Sequence, residues 1–213
     1  DGCTAMTVPF LRHSGRAASL PLDNIDTDVI IPMQQLLSVP RSELGRCAFN
    51  ALRYDEQGNE RADFQLNTTK GRGASVIVAG RNFGCGSSRE GAVYALAGLG
   101  VRVMVASSYG DIFYSNCLKN GILPIMLSQA DLDSVHEAIA GSQEPVDAAI
   151  DLQAQRIALS TGLWFPFEID PAHRQRLIDG TDEVALTLQA EDDIRRFEQG
   201  DRMARPWAQR ADA

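Results

Sequence analysis

Apolar and polar positions along the chain fall into their most regular order in the middle. Ala74 to Ala79 (ASVIVA) is a β-branched run of strand length, followed at once by Gly80, Gly84 and Gly86. Glu90 to Leu99, rich in Ala and Leu, predicts a helix stopped by Gly100. Val101 to Ala106 (VRVMVA) predicts a second strand, Asp111 to Asn120 a second helix stopped by Gly121, and Ile122 to Leu127 a third short strand. Strands separated by helices of this length need crossover connections, so they pair in parallel.

The flanks are less periodic. Up to about Lys70 the chain is loop-rich, with Gly, Pro and charged residues breaking short apolar runs. Val29 to Ile31, halted by Pro32, predicts a strand end or extended turn. Arg53 to Thr69 is polar, contains Gly58 and Asn59, and predicts an exposed loop. Beyond the centre, Ser128 to Ala140 places Leu132, Val135 and Ile139 on one helical face. Ala148 to Leu152 and Arg156 to Leu159 alternate like the arms of a hairpin. Asp170 before Pro171 is an N-cap followed by a first-turn proline. Glu191 to Glu198 predicts a last charged helix, and Asp201 to Ala213 a frayed or partner-bound tail. The fold class is α/β.

With 213 residues the chain can bury one core, or a core plus a helical extension. Twenty basic against 28 acidic side chains leave a formal charge of −8, and no basic patch marks a nucleic-acid or anionic-membrane surface. No apolar run reaches the roughly 20 residues that span a bilayer. The segment DGCTAMTVPF lacks the apolar stretch of a secretory signal and Met6 reads as a start, so a cytoplasmic protein is expected. Cys3, Cys47, Cys85 and Cys117 show no Cys-x-x-Cys spacing, and His13, His136 and His173 lie far apart. That pattern argues against a zinc or iron–sulfur site within this chain.

The chemistry-bearing stretch is Gly84-Cys85-Gly86-Ser87-Ser88-Arg89-Glu90, set between a strand and a helix, where α/β folds bind ligands. Its glycines allow a tight turn and close backbone approach. A helix start favours an anion, and Arg89 adds a planar fork for a carboxylate or phosphate. A dinucleotide fingerprint would need a glycine where Arg89 stands, and neither a P-loop nor a nucleophile elbow fits. Ser87 and Glu90 also spell a capping box. The two readings compete, because a serine that caps with its hydroxyl is poorly placed to accept a proton, and the sequence leaves open which of Ser87 and Ser88 caps.

The ordered set GRNFGCGSSRE, SSYGDIFYSNCLKNGILPI, Asn24 to Pro32 (NIDTDVIIP), Phe167 to Pro171 (FEIDP) and Val184 to Gln189 (VALTLQ) resembles the small subunit of 3-isopropylmalate dehydratase. The resemblance runs from about Met6 to Phe197. It implies a swivelling β/β/α domain of the aconitase superfamily over residues 6–198, with 1–5 and 199–213 as flexible terminal segments and a C-terminal helical extension. It further implies a large-subunit partner that carries a [4Fe–4S] cluster, this chain binding no cofactor itself. Together, as a heterodimer or a larger assembly, the two chains would interconvert 2- and 3-isopropylmalate, small dicarboxylates, in leucine biosynthesis. Ser87 then matches the catalytic base and Ser88 and Arg89 the substrate-holding groups, while Arg41 falls where a second arginine stands. Asp28 matches an active-site acidic residue. Against these stand plainer readings: turn-forming carboxylates for Asp23, Asp26 and Asp28, and a solvated charge for Arg41.

Two stretches depart from the family. It usually continues after Arg-Glu with His-Ala-Pro-Trp-Ala-Leu, where this chain has Gly91 to Leu96 (GAVYAL). It often reads Pro-Lys-Gln-Phe-Leu where Pro32 to Leu36 reads PMQQL. The serine–serine–arginine core is untouched, so the chemistry is better specified than the substrate. A paralogue acting on another 2-alkylmalate and a non-catalytic anion-binding module are the alternatives.

Overall fold

A computed structural model describes residues 9–180, 187, 190–205 and 207. Apart from Thr187, the Val184 to Gln189 motif lies outside the described residues, as do residues 1–5 and 208–213. The described residues fall into two compact units, one ending at Gly180 and one beyond it.

The first unit is built on a seven-stranded mixed sheet. Its strands are β1 (Arg12–Leu20), β2 (Val76–Ala79), β3 (Val103–Ala106), β4 (Leu123–Met126), β5 (Asp147–Asp151), β6 (Arg156–Leu159) and β7 (Trp164–Pro166). They lie in the order β4-β3-β2-β1-β5-β6-β7. β1 to β4 pair in parallel, whereas β5 joins β1 antiparallel and continues through β6 to β7. The three central strands thus stand as expected, and the hairpin of β5 and β6 with them. β2 and β3 are buried at every position, as parallel strands covered on both faces must be.

Each face of the sheet carries its own core. One holds Ile77, Met104 and Ala106 against helices α1 (Thr27–Ile30), α2 (Met33–Ser38), α3 (Asn50–Arg53), α4 (Gly91–Leu99) and α5 (Asp111–Lys119). The other holds Val76, Val78 and Val105 against α6 (Gln129–Gly141) and α7 (Pro171–Asp179). Ser128 caps α6, whose Leu132 and Val135 are buried, and Asp170 caps α7 through the amides of Ala172 and His173. The Asp170 cap stands as expected from the chain.

Four expectations need correction. β1 was not anticipated. Its outer half is exposed and its inner half buries mostly small residues, Ala17 and Ala18 among them, so no apolar alternation announces it. Val29 and Ile30 are helical rather than extended, because the Asp26 carboxylate accepts from the Val29 amide at 2.8 Å and starts a turn; only Ile31 is extended. The stretch Arg53 to Thr69 is no free excursion: Phe64, Leu66 and Asn67 are buried. The Asn67 amide donates to the carbonyls of Arg53 at 2.7 Å and Arg61 at 3.0 Å, pinning the loop. The last helix runs Glu191–Ala204, so Asp201 to Ala204 continue it rather than fray.

Candidate functional site

The carboxyl ends of β1, β2 and β3 release three loops that remain hydrogen-bonded to one another. The Asn24 amide donates to Arg81 O at 2.9 Å, Gly84 N to Ile25 O at 2.7 Å, and Thr27 N to Cys85 O at 3.0 Å. On the other side Phe83 N donates to Ser108 O at 3.1 Å and Gly110 N to Phe83 O at 2.9 Å. The loop after β2 is therefore threaded between its neighbours. Asn24 and Asn82 both take left-handed backbone conformations, and the Asn82 side-chain amide donates to Asn24 Oδ1 at 2.8 Å. Asparagine tolerates that conformation better than other non-glycine residues, the one local signal that could have singled this pair out.

Gly84 is required twice over. Its φ is +71°, and a Cβ there would sit 2.1 Å from Phe113 Cγ. Gly86 is also left-handed, at φ +91°. The chain emerges from this double turn with Ser87 and Ser88 exposed and Arg89 half-buried.

Arg89 is the centre of the arrangement. Its two terminal nitrogens pair with both oxygens of Asp28, the Nη2–Oδ2 contact measuring 2.8 Å. Nη2 also donates to Ser87 Oγ at 3.2 Å. The Asp28 carboxyl is held below its ordinary value, chiefly by the hydrogen bonds from Arg89, and Arg89 is pushed further above its own. A cation thus abuts an exposed serine hydroxyl, the condition for stabilising an alkoxide on it.

The other expected residues have different surroundings. Asp23 bridges to Arg81, accepting from its backbone amide at 2.9 Å and its Nε at 2.8 Å, and Asp26 caps α1; both are turn-forming carboxylates. Asp28 alone of the three pairs with the serine–serine–arginine turn. Arg41 opens a 3-10 turn (Arg41–Cys47) and lies exposed, its guanidinium over the Tyr94 ring at 3.6 Å. The structure brings Ser87, Arg89 and Asp28 together and leaves Arg41 outside their hydrogen bonds. The capping box is absent: α4 begins at Gly91, and Glu90, already helical, makes no cap. The Ser87 carbonyl instead accepts from the Arg89 amide at 2.8 Å, which leaves the hydroxyl free of a capping duty.

Among the described residues no group of three or more His, Cys, Asp or Glu is placed to hold a metal ion. Cys47 and Cys117 are buried singly, and Cys85 stands partly exposed in the loop. Nor is any described helix long and apolar enough to cross a membrane.

The pattern defining the aconitase C-terminal domain matches residues 7–130, which carry β1 to β4 and the serine–serine–arginine turn. A second pattern, that of the C-terminal domain of 3-isopropylmalate dehydratase small subunits, matches residues 183–211. The 3-isopropylmalate dehydratase small subunit of Ruegeria sp. is 47% identical over 93% of this chain and 98% of its own length. That of Phenylobacterium zucineum is 44% identical over 95% of this chain and 98% of its own. A crystal structure of 3-isopropylmalate dehydratase from Methanocaldococcus jannaschii superposes with a TM-score of 0.64 at 28% identity, over 87% of this chain and 99% of that one. The chain belongs to the family of 3-isopropylmalate dehydratase small subunits.

Proposed function

We propose that this chain is the base-bearing subunit of a cytoplasmic two-chain hydro-lyase, interconverting 2- and 3-isopropylmalate in leucine biosynthesis with a cluster-bearing large subunit. The observation that carries the reading is the 3.2 Å contact between Arg89 Nη2 and the exposed Ser87 hydroxyl, with Arg89 itself gripped by Asp28. The names of the relatives supply the substrate and the pairing of subunits.

Ser87 Oγ takes the proton from the carbon beside a substrate carboxylate. A serine hydroxyl is far too weak an acid to ionise unaided, and the adjacent guanidinium offsets the negative charge left on its oxygen. As the proton leaves, charge spreads onto the substrate carboxylate, which in this reading the exposed Ser88 hydroxyl and the remaining Arg89 N–H groups would hold. In this reading Asp28 keeps the fork oriented and fully charged, and Arg41 would take a second carboxylate. The described residues form no cluster site of their own, and in this reading the [4Fe–4S] group belongs to the partner, where it would supply the Lewis acid for departing hydroxide.

The test is reconstitution with a large subunit bearing an intact cluster, following isopropylmaleate by its absorbance. Ser87→Ala should cut turnover by about a hundredfold or more, the usual scale for a lost general base, while assembly stays intact. Turnover at the wild-type rate would overturn the base assignment. A panel of 2-alkylmalates in the same assay decides the substrate. The choice matters because the two departing stretches meet in space: a Cβ at Gly91 would lie 2.4 Å from Cδ2 of Leu36, which ends the second stretch. No turnover of any member, with a competent partner, would favour an anion-binding module instead.

A further inference from the structure

Glu90 follows directly on Arg89, yet the chemistry above gives it nothing to do. It occupies the N-cap position of α4 with helical backbone angles and no capping bond. Its carboxylate turns away from the helix amides and accepts from Asn120 Nδ2 at 2.8 Å. Asn120 is the residue that ends α5, where its backbone amide and its side chain both donate to the Asn116 carbonyl. One turn along α4, Tyr94 acts on the same carboxylate, and the Arg41 guanidinium covers the Tyr94 ring. Asn120 first and Tyr94 next hold the Glu90 carboxyl below its ordinary value, so it is charged at neutral pH.

The other end of α5 is tied to the same loop. Phe113 packs where a side chain at Gly84 would be, and Gly110 N donates to Phe83 O at 2.9 Å. The loop, α5, Asn120 and Glu90 therefore form a closed ring of contacts, with the serine–serine–arginine turn inside it. Arg89 is consequently held from two directions: its side chain by Asp28 on α1, its backbone through Glu90 by α5.

We propose that Glu90 is a positioning residue, whose tether to Asn120 at the end of α5 fixes the direction in which the neighbouring Arg89 guanidinium leaves the turn. The proposal rests on the hydro-lyase reading for its kinetic consequence, but the tether itself is a property of this chain. A carboxylate that merely stabilised the helix would reach its amide ends; this one forgoes them for a partner on another helix.

In the reconstituted enzyme, Glu90→Ala should lower kcat and kcat/KM together by about ten- to a hundredfold with KM nearly unchanged, the mark of an interaction felt in the transition state. Glu90→Gln keeps an acceptor for Asn120 and should recover most of the rate. In an Arg89→Lys background Glu90→Ala should add little, because its effect runs through Arg89. Independently of any substrate, amide hydrogen exchange on the full chain should quicken at residues 87–91 in Glu90→Ala while β2 and β3 stay protected. Wild-type kinetics and exchange in Glu90→Ala, or an undiminished loss in the Arg89→Lys background, would overturn the proposal. If the wild-type pair turned over no isopropylmalate, the functional reading would fall while the exchange comparison still decided the tether.

Discussion

In the proposed reading Arg89 does two things, steadying the Ser87 hydroxyl and gripping carboxylates, and its geometry permits both. Its terminal nitrogens face Asp28, and one of them also reaches Ser87 Oγ at 3.2 Å. Lysine offers a single point charge and cannot keep a planar pair while donating to a second group. Arg89→Lys is therefore expected to lose turnover by roughly ten- to a hundredfold, the scale of one charge-assisted hydrogen bond, as measured with the reconstituted enzyme. The Asp28 partner gives a separate check. Because its folded value is depressed, the pairing is fully present above the ordinary carboxylate value of 3.8 and is lost only as pH falls through the lowered one. Carbon NMR of the Asp28 carboxyl should show a titration midpoint below 3.8, returning upward in Arg89→Gln; an unmoved midpoint in that variant would refute the pairing. Ser87, Ser88 and Arg89 could be read as candidates from the chain because they are contiguous between glycines. The partnership with Asp28 spans 61 residues, and no local pattern expresses it. Glu90 was visible too, but only as half of a candidate capping box, since a glutamate three places after a serine looks the same whether it turns back or away.

Among the elements, the βαβαβ segment was legible because both strand faces are buried, which leaves uninterrupted runs of Val, Ile and Met bounded by glycine. α1 was not: a four-residue helix has no period to display, and its only cause is the Asp26 cap. What the elements do for function is concentrated at the turn between β2 and α4. Alanine at Gly84 would meet two separate penalties, a left-handed backbone at φ +71° and a Cβ 2.1 Å from the Phe113 ring carbon. The backbone alone costs about 1–2 kcal/mol for an L-residue, and forced repacking of a buried ring about 1–3 kcal/mol more. Gly84→Ala should thus destabilise the chain by at least about 2 kcal/mol in urea unfolding. It should also lower turnover of the folded fraction, because Phe113 sits on the helix that braces the loop. A second glycine with open surroundings supplies the control. Gly58, at φ +82° with nothing within 4 Å, would meet the backbone penalty without the clash. If Gly58→Ala proved as costly as Gly84→Ala, the packing part of the account would be wrong.

Across the whole first unit, β1 decides continuity: it is the one strand that pairs parallel to β2 on one side and antiparallel to β5 on the other. Neither the strand nor this junction was readable, since a hairpin's alternation says that two arms pair and not which third strand receives them. β1 is also pinned by two half-buried imidazoles. His13 Nε2 lies 2.8 Å from Ser75 Oγ, just before β2, and His136 Nδ1 on α6 lies 2.7 Å from Ser19 Oγ. Burial lowers both below the ordinary 6.5, with Arg102 adding to the effect at His13. At His136 the Ala79 backbone and the Asp133 carboxylate offset part of it. The unfolded chain therefore binds protons near pH 6.5 that the folded chain refuses until lower pH. Stability from these sites is complete above 6.5 and drains away as pH falls through the lowered values. Urea midpoints should accordingly drop between about pH 7.5 and pH 5.5 for the wild type, and drop less for His13→Gln combined with His136→Gln, which lacks both buried imidazoles. A wild-type midpoint that stays level, or a double variant that keeps the full decline, would show that β1 is not held by neutral histidines.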